Sequence, residues 1–360
     1  MKTRHFFMIS LLLACIMSAG NMYGRSLPDI KVYGNLYWLL TEDGTLVIEG
    51  NGRMKEDPYL PFPWHSFKSK ISSIVLSEGI TMIADGAFYE CTNLKAIIIP
   101  KSVKKIGGYA FGGCSKLTSI TIPEGVQNIE ESTFSCCFNL HSIDLPSSIK
   151  SIKTHAFNRC TSLKQINFPN GLRKIGFGAF YNCNSLTTVM LPRSVTDIEP
   201  NAFSTCEHLL SFVVSIDNPQ YRSIDGMLYN KSGSTLVCCP AGNRNAIDLY
   251  SDVKVIGTSA FEGCHQITSI NLPIGLKEIG HGAFSCCTKL QEITIPNSVK
   301  KIDTAAFFMC RSISSITIPE SVTKIGVRLF GDCSSLREVR VPARLTLDEN
   351  ESTNKVIIRY

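Results

Sequence analysis

Charge and tryptophan are scarce in this chain. Of 360 residues, 18% are charged and two are tryptophan, against 44% hydrophobic. The net charge of +6 is modest and lacks the clustering and aromatic interleaving of a nucleic-acid binder, so that class is set aside. Catalytic signatures are missing as well. The histidines His5, His65, His141, His155, His208, His265 and His281 form no HExxH pattern, and there is no P-loop and no GxSxG elbow. Cys137 and His141 lack the companions of a closed four-ligand zinc set. Asp144 and His141 read as residues of an exposed face rather than as an acid–base pair. The sequence therefore predicts no catalytic residue, no metal and no cofactor.

Long apolar runs are also lacking, with one short exception. Lys2, Arg4 and His5 precede an apolar stretch from Phe6 to Met17, followed by Ser18, Ala19 and Gly20. This order is that of a secretory leader, predicted over residues 1–24 and too short for a permanent span. Leu12-Leu13-Ala14-Cys15 offers a variant, a lipid anchor at Cys15, although the residues after it stay apolar. Either way the chain is expected to be secreted or at a cell surface.

Cysteine, by contrast, is abundant at fifteen residues, and its spacing explains it. Phenylalanine recurs every 23 residues at 88, 111, 134, 157, 180 and 203, then at 261, 284, 307 and 330. Cysteine follows three places behind, from Cys91 to Cys206 and from Cys264 to Cys333, and proline keeps the same period. Ten cysteines thus share one structural position, which suits a small buried side chain and not a reactive one. Cys136 and Cys286 stand beside this ladder and are expected to point outward. Disulfides are not favoured, because stacked identical positions rarely give the required geometry.

One unit can be read residue by residue. In Leu117-Thr118-Ser119-Ile120-Thr121-Ile122-Pro123, Ile120 and Ile122 face one way and Thr121 the other, as in a strand. Pro123 cannot donate to a ladder and ends it. Val126 and Ile129 close a second side, and Phe134 and Cys137 fill the return. Such a unit cannot bury its own apolar face, so units must stack. The first-strand column runs from Ile74 to Val339 through twelve coils, a stack roughly 55 Å long at about 4.8 Å per strand. One step is longer, 35 residues from Phe212 to Ile247. There the Ala-Phe pair is lost and two strand-like runs, 223–229 and 235–239, flank the turn residues Asn230-Lys231-Ser232-Gly233. The predicted organisation is a leader over 1–24, a β-hairpin cap over 25–70, an array over 71–342 with a hairpin insertion near 215–246, and a C-terminal cap or tail over 343–360.

The pattern Leu-x-x-Ile-x-Ile-Pro-x-x-Val-x-x-Ile-Gly-x-x-Ala-Phe-x-x-Cys, clearest over Leu94–Cys114 and Ile313–Cys333, resembles the BspA-like class of bacterial leucine-rich repeats. Asn35-Leu36-Tyr37-Trp38 with Asp43–Ile48 and Pro63-Trp64 is similar to that family's N-terminal cap. Asp225-Gly226-Met227-Leu228-Tyr229 is similar to its recurrent insertion. The resemblance implies a leucine-rich repeat solenoid, a right-handed superhelix that is mainly β with short or helical turns and a concave sheet. It also implies extracellular adhesion or recognition of a host or bacterial surface protein or a glycan. Thr133 and Leu329 depart from the usual alanine and Tyr250 from the usual proline. No sorting domain or wall-anchor motif is seen after Pro342.

The outward column of the first strand includes Thr121, Asp144, Asn167, Met190, Val213, Asp248 and Asn271, a mixed surface suited to protein or glycan. Asp144, Asn167, Met190, Asp248 and Asn271 are therefore candidate binding residues. Met227 and Tyr229 join them, as apolar residues on an insertion that need not complete the core and of types that anchor interfaces. The two positions before the second-side isoleucine hold ten basic residues, among them Lys254, Lys277 and Lys300, opposed by Asp197 and Glu278. They form a positive stripe that attracts acidic partners or, more plainly, discourages edge pairing. A structural or assembly component and a carbohydrate-binding accessory protein are the rival readings to a surface binder.

Overall fold

The computed structural model describes residues 30–55, 61–242, 245–348 and 356–360. The expected leader and Cys15 lie outside them. The fold is a leucine-rich repeat β-solenoid of about twelve turns at 23-residue spacing, with almost no helix.

Most coils make two short strands and a turn. Ser119–Thr121 pairs in parallel with Ser142–Asp144 on the first face, and Asn128–Ile129 pairs with Ser151–Ile152 on the second. Pairing is in register from coil to coil, so like residues stack on like. Ile74, Ile97, Ile120, Ile143, Ile166, Val189 and Phe212 are all buried. The first face is not one continuous sheet: the residues around Ile166 form no strand although Ile166 itself is buried, and Ala96–Ile98 and Ser119–Thr121, like Glu292–Ile293 and Ser315–Thr317, belong to separate sheets.

The third face is built of turns. Here a phenylalanine N–H donates to the carbonyl of the residue just before the next phenylalanine wherever a regular turn follows, as in Phe134 to Ala156 at 2.8 Å and Phe157 to Ala179 at 2.8 Å. The rings stack with centroids 5.1–5.6 Å apart from Phe88 to Phe203, and 5.0–5.7 Å apart from Phe261 to Phe330. Two residues before and two after each phenylalanine the backbone turns left-handed. Ser132, Cys136, His155 and Arg159 have φ of 52–60°. Glycine fills these columns at Gly113 and Gly178. Gly107 does not take a positive φ; a Cβ there would lie 2.2 Å from Asp85 Oδ1 and 2.5 Å from its amide, so close approach excludes a side chain.

The N-terminal strands Lys31–Tyr33, Leu36–Leu40 and Thr45–Gly50 run antiparallel, and the last pairs in parallel with Ser73–Leu76, which opens the array. Trp64 sits on the end of the phenylalanine column, stacked 6.2 Å from Phe88. Its indole Nε1 donates to Ala87 O at 2.7 Å, doing for the first turn what a phenylalanine amide does for later regular turns. At the other end Val356–Arg359 pairs with Glu338–Val341, and the Tyr360 hydroxyl donates to Ile318 O at 2.6 Å.

The long coil corrects one expectation. Tyr221–Ile224, Met227–Asn230 and Thr235–Cys238 form an antiparallel meander, and the last strand rejoins the second face beside Val255–Ile256. The meander is packed into the stack. Met227, Leu228 and Tyr229 are buried at 4%, 0% and 0% exposure. A coil without its Ala-Phe turn has an unfilled interior, and these side chains supply what is missing. Cys239 takes the place of the lost phenylalanine, its N–H donating to Ala260 O at 2.7 Å. Because a thiol replaces a ring there, the ring stack stops at Phe203, which meets Phe212 edge-on at 5.4 Å.

Candidate functional site

The outward residues of the first face are exposed because strand alternation leaves them no alternative. Ile120, Ile143 and Ile166 turn inward, so Thr121, Asp144 and Asn167 turn outward. Asp144, Asn167, Met190, Asp248 and Asn271 are all exposed, as is Val213. Met190 and Val213 are in register on neighbouring strands, 57% and 51% exposed, and form an apolar pair amid polar neighbours. Asp144 and Asn167 follow one another in the coils before this pair. The Thr121 hydroxyl donates to Asp144 Oδ2 at 3.3 Å. Asp248 and Asn271 lie in register beyond the long coil, with Asn271 Nδ2 donating to Asp248 Oδ1 at 2.5 Å.

Between these two groups stands the turn of the meander. Gly226 O accepts from Phe212 N–H at 2.8 Å, and the Ser223 hydroxyl donates to Phe212 O at 2.7 Å. The meander thus borders the Met190–Val213 pair with its backbone, while Met227 and Tyr229 face the core and are unavailable to a partner.

The ladder cysteines are packing residues with a hydrogen bond. Cys91, Cys114, Cys137, Cys160, Cys183, Cys206, Cys264, Cys287, Cys310 and Cys333 are at most 2% exposed. From Cys114 to Cys206 each Sγ donates to the phenylalanine carbonyl of the preceding coil at 3.1–3.3 Å. Burial pushes the thiols of Cys91 and Cys206 up to about 12. Cys136 and Cys286 are half-buried rather than fully outward, because their left-handed backbone tucks each against its turn. No disulfide joins the described cysteines, and no group of acidic, cysteine or histidine residues among those described is arranged to hold a metal.

The basic stripe on the second face is partly neutralised. Lys174 bridges Asp197 at 3.0 Å and also Glu199, and Lys301 bridges Glu278 at 2.5 Å and Asp303 at 2.9 Å. Glu199 and Asp303 lie just past the strand, outside the two columns that reveal the stripe in sequence. Lys254, Lys277 and Lys300 stack on consecutive coils, joined by backbone bonds of 2.7 and 2.8 Å, and are exposed.

Among the described residues no helix is long and apolar enough to cross a membrane. The BspA type leucine rich repeat region matches residues 65–153, 129–230 and 238–352, well over half of the chain. A leucine rich cell surface protein from Faecalibacterium prausnitzii is 28% identical, with 93% of this chain and 95% of that one covered at a TM-score of 0.65. A leucine-rich repeat protein from Eubacterium ventriosum is 26% identical over 86% of this chain and 71% of that one, at 0.55. The pneumococcal vaccine antigen PcpA shares the fold at 22% identity, with 91% and 83% covered and a TM-score of 0.60. A search of curated proteins returns no significant match. The repeat match, spread over nearly every coil, places the chain in the BspA-type leucine-rich repeat family.

Proposed function

We propose that this is an exported, non-enzymatic protein that binds a macromolecule at a bacterial cell surface through its first face. The supporting observation is the exposed Met190–Val213 pair within a polar column of Asp144, Asn167, Asp248 and Asn271. A partly apolar centre with a hydrogen-bonding rim is the anatomy of a protein-recognition patch. The partner is a host or bacterial surface protein or a glycan on that surface. Export rests on the leader over 1–24, and the surface setting is that of the similar Faecalibacterium cell surface protein. A lipid on Cys15 is the alternative mode of attachment.

An array of surface proteins and glycans tests the reading. Binding of the wild type is expected to weaken about tenfold or more in Met190→Asp and Val213→Asp, with melting temperature unchanged, since a desolvated charge at the centre of an interface is strongly unfavourable. Reproducible silence across the array favours a purely structural component. Metabolic lipid labelling of wild type and Cys15→Ser in the producing cell separates an anchored from a released protein.

A further inference from the structure

The turn face carries a site that the first-face reading does not use. The long coil makes no turn of its own there. The turns on either side therefore meet directly, and Thr205 N–H donates to Glu262 O at 3.3 Å. Two adjoining depressions lie around this joint, each about 380 Å³. Both include Phe177, Asn201 and Glu262. One adds His155, Asn158, Arg159 and Tyr181; the other adds His281, Phe308 and Arg328.

The polar groups here are fixed but incompletely used. Asn158 Nδ2 is directed to His155 Nδ1 at 3.5 Å, and its buried Oδ1 has no hydrogen-bond partner. Asn201 hydrogen-bonds Glu262, and its own buried Oδ1 is likewise without a partner. Glu262 is half-buried. Burial raises its carboxyl above the ordinary range, against the opposing pull of hydrogen bonds with Ser259 and Asn201. Buried acceptors without donors are uncommon and point to a missing hydrogen-bonding group. Beside them Phe177 is 40% exposed, with His155 edge-on at 5.5 Å.

We infer that this pair of depressions binds a neutral sugar, with pyranose hydroxyls bonding the side-chain amides of Asn158 and Asn201 and the Glu262 carboxyl that line it and a carbon-bound ring face packed on Phe177. The chemistry selects against the other classes. An ammonium ligand meets Arg159 and Arg328 at the rim. An anion meets Glu262 on the shared floor. An apolar ligand leaves both amide oxygens unpaired. A sugar hydroxyl both donates and accepts, so it satisfies the amides and also accepts from the arginines and histidines. Each depression falls within the range of about 300–1,000 Å³ usual for small-molecule sites, and together they take more than one ring. None of the lining residues lies on the first face, so the inference stands or falls separately from the surface-binding reading.

Saturation-transfer NMR on the full chain, with neutral hexoses, N-acetylhexosamines and their short oligomers, provides the test. At least one neutral series is expected to give transfer at millimolar concentration. Phe177→Ala and Asn158→Leu are each expected to weaken it about tenfold, the loss that follows from one packing surface or one hydrogen bond. Phe177→Ala removes an exposed ring, so its melting temperature is expected to stay within error of wild type, and Met190→Asp is expected to keep the sugar signal intact. No transfer from any neutral sugar overturns the inference. So does binding confined to acidic sugars, amino sugars or peptides, or a signal that survives Phe177→Ala and Asn158→Leu.

Discussion

Cysteine occupies the ladder position because two requirements coincide there. The space beside the stacked phenylalanines admits only a small side chain, and the phenylalanine carbonyl of the preceding coil presents a free lone pair to it. A thiol meets both needs, as Cys160 does toward Phe134 O at 3.1 Å. Alanine fits the space without the bond, and serine makes the bond with a larger desolvation cost. The thiolate is the reactive form, so buried ladder thiols with raised pKa are expected to be inert. Alkylation of the native protein should reach Cys136 and Cys286 first and the ladder only after denaturant is added. Rapid native modification of Cys114, Cys160 or Cys183, followed by peptide mapping, would contradict the packing account. The ring column admits a parallel expectation. Phe157 is fully buried between Phe134 and Phe180. Phe157→Ala should cost about 3–5 kcal/mol in urea unfolding.

At the scale of the element, the long coil holds together through one asparagine. Asn218 is fully buried, with Nδ2 donating to Pro192 O and Val195 O, each at 2.9 Å. Its Oδ1 accepts from the amides of Gln220 and Tyr221 at 2.9 and 2.8 Å. One side chain thus ties the preceding coil to the start of the meander. Asn218→Ala leaves four backbone groups without it and should cost on the order of 2–4 kcal/mol. Asn218→Asp should cost more, because a carboxylate then faces two carbonyls. A melting temperature unchanged in both variants refutes this role. The sequence carries the regular coils openly, because every inward column repeats and repetition identifies burial. Asn218 occurs once and shows no period, so its role is invisible until the chain is folded. Met227 and Tyr229 mislead for the same reason. Outside a repeat, an apolar residue type does not say which way it faces, and the sequence leaves open whether the gap at the lost Ala-Phe turn needs filling. The sugar site is hidden still more deeply. Asn201 and Glu262 are far apart in sequence and meet only because one turn is missing between them. The one readable sign was the loss of the Ala-Phe pair itself.

For the whole molecule, stacking like on like makes its response to pH collective. The ladder cysteines from Cys91 to Cys310 all have thiols raised above their ordinary value. Burial is the first cause in each except Cys264, where the neighbouring Cys239 thiol comes first. A thiol held protonated in the folded state and free to ionise in the unfolded state, at about 8.5, contributes its full stability below that pH. Above it the unfolded chain loses protons that the folded chain keeps, and each thiol then removes about 1.4 kcal/mol of stability per pH unit until its folded pKa is reached. In a solenoid, stability is close to a sum over units and their interfaces, so these losses add along the array. The protein should therefore lose stability progressively above about pH 8.5 while keeping it at pH 7, with thiolate absorbance rising together with the loss of circular dichroism wherever the chain unfolds. Paired lysines change the sign of nothing here. The carboxylates beside Lys174 and Lys301 raise both above their ordinary value, and their contribution is likewise lost as pH rises. Cys160→Ala separates the thiols from these pairs. Its melting temperature should fall less steeply between about pH 9 and 10 than that of wild type, by the equivalent of one released proton. A wild-type melting temperature that stays level across that interval, or thiolate absorbance that appears while the chain is still folded, would show that the ladder does not govern alkaline stability.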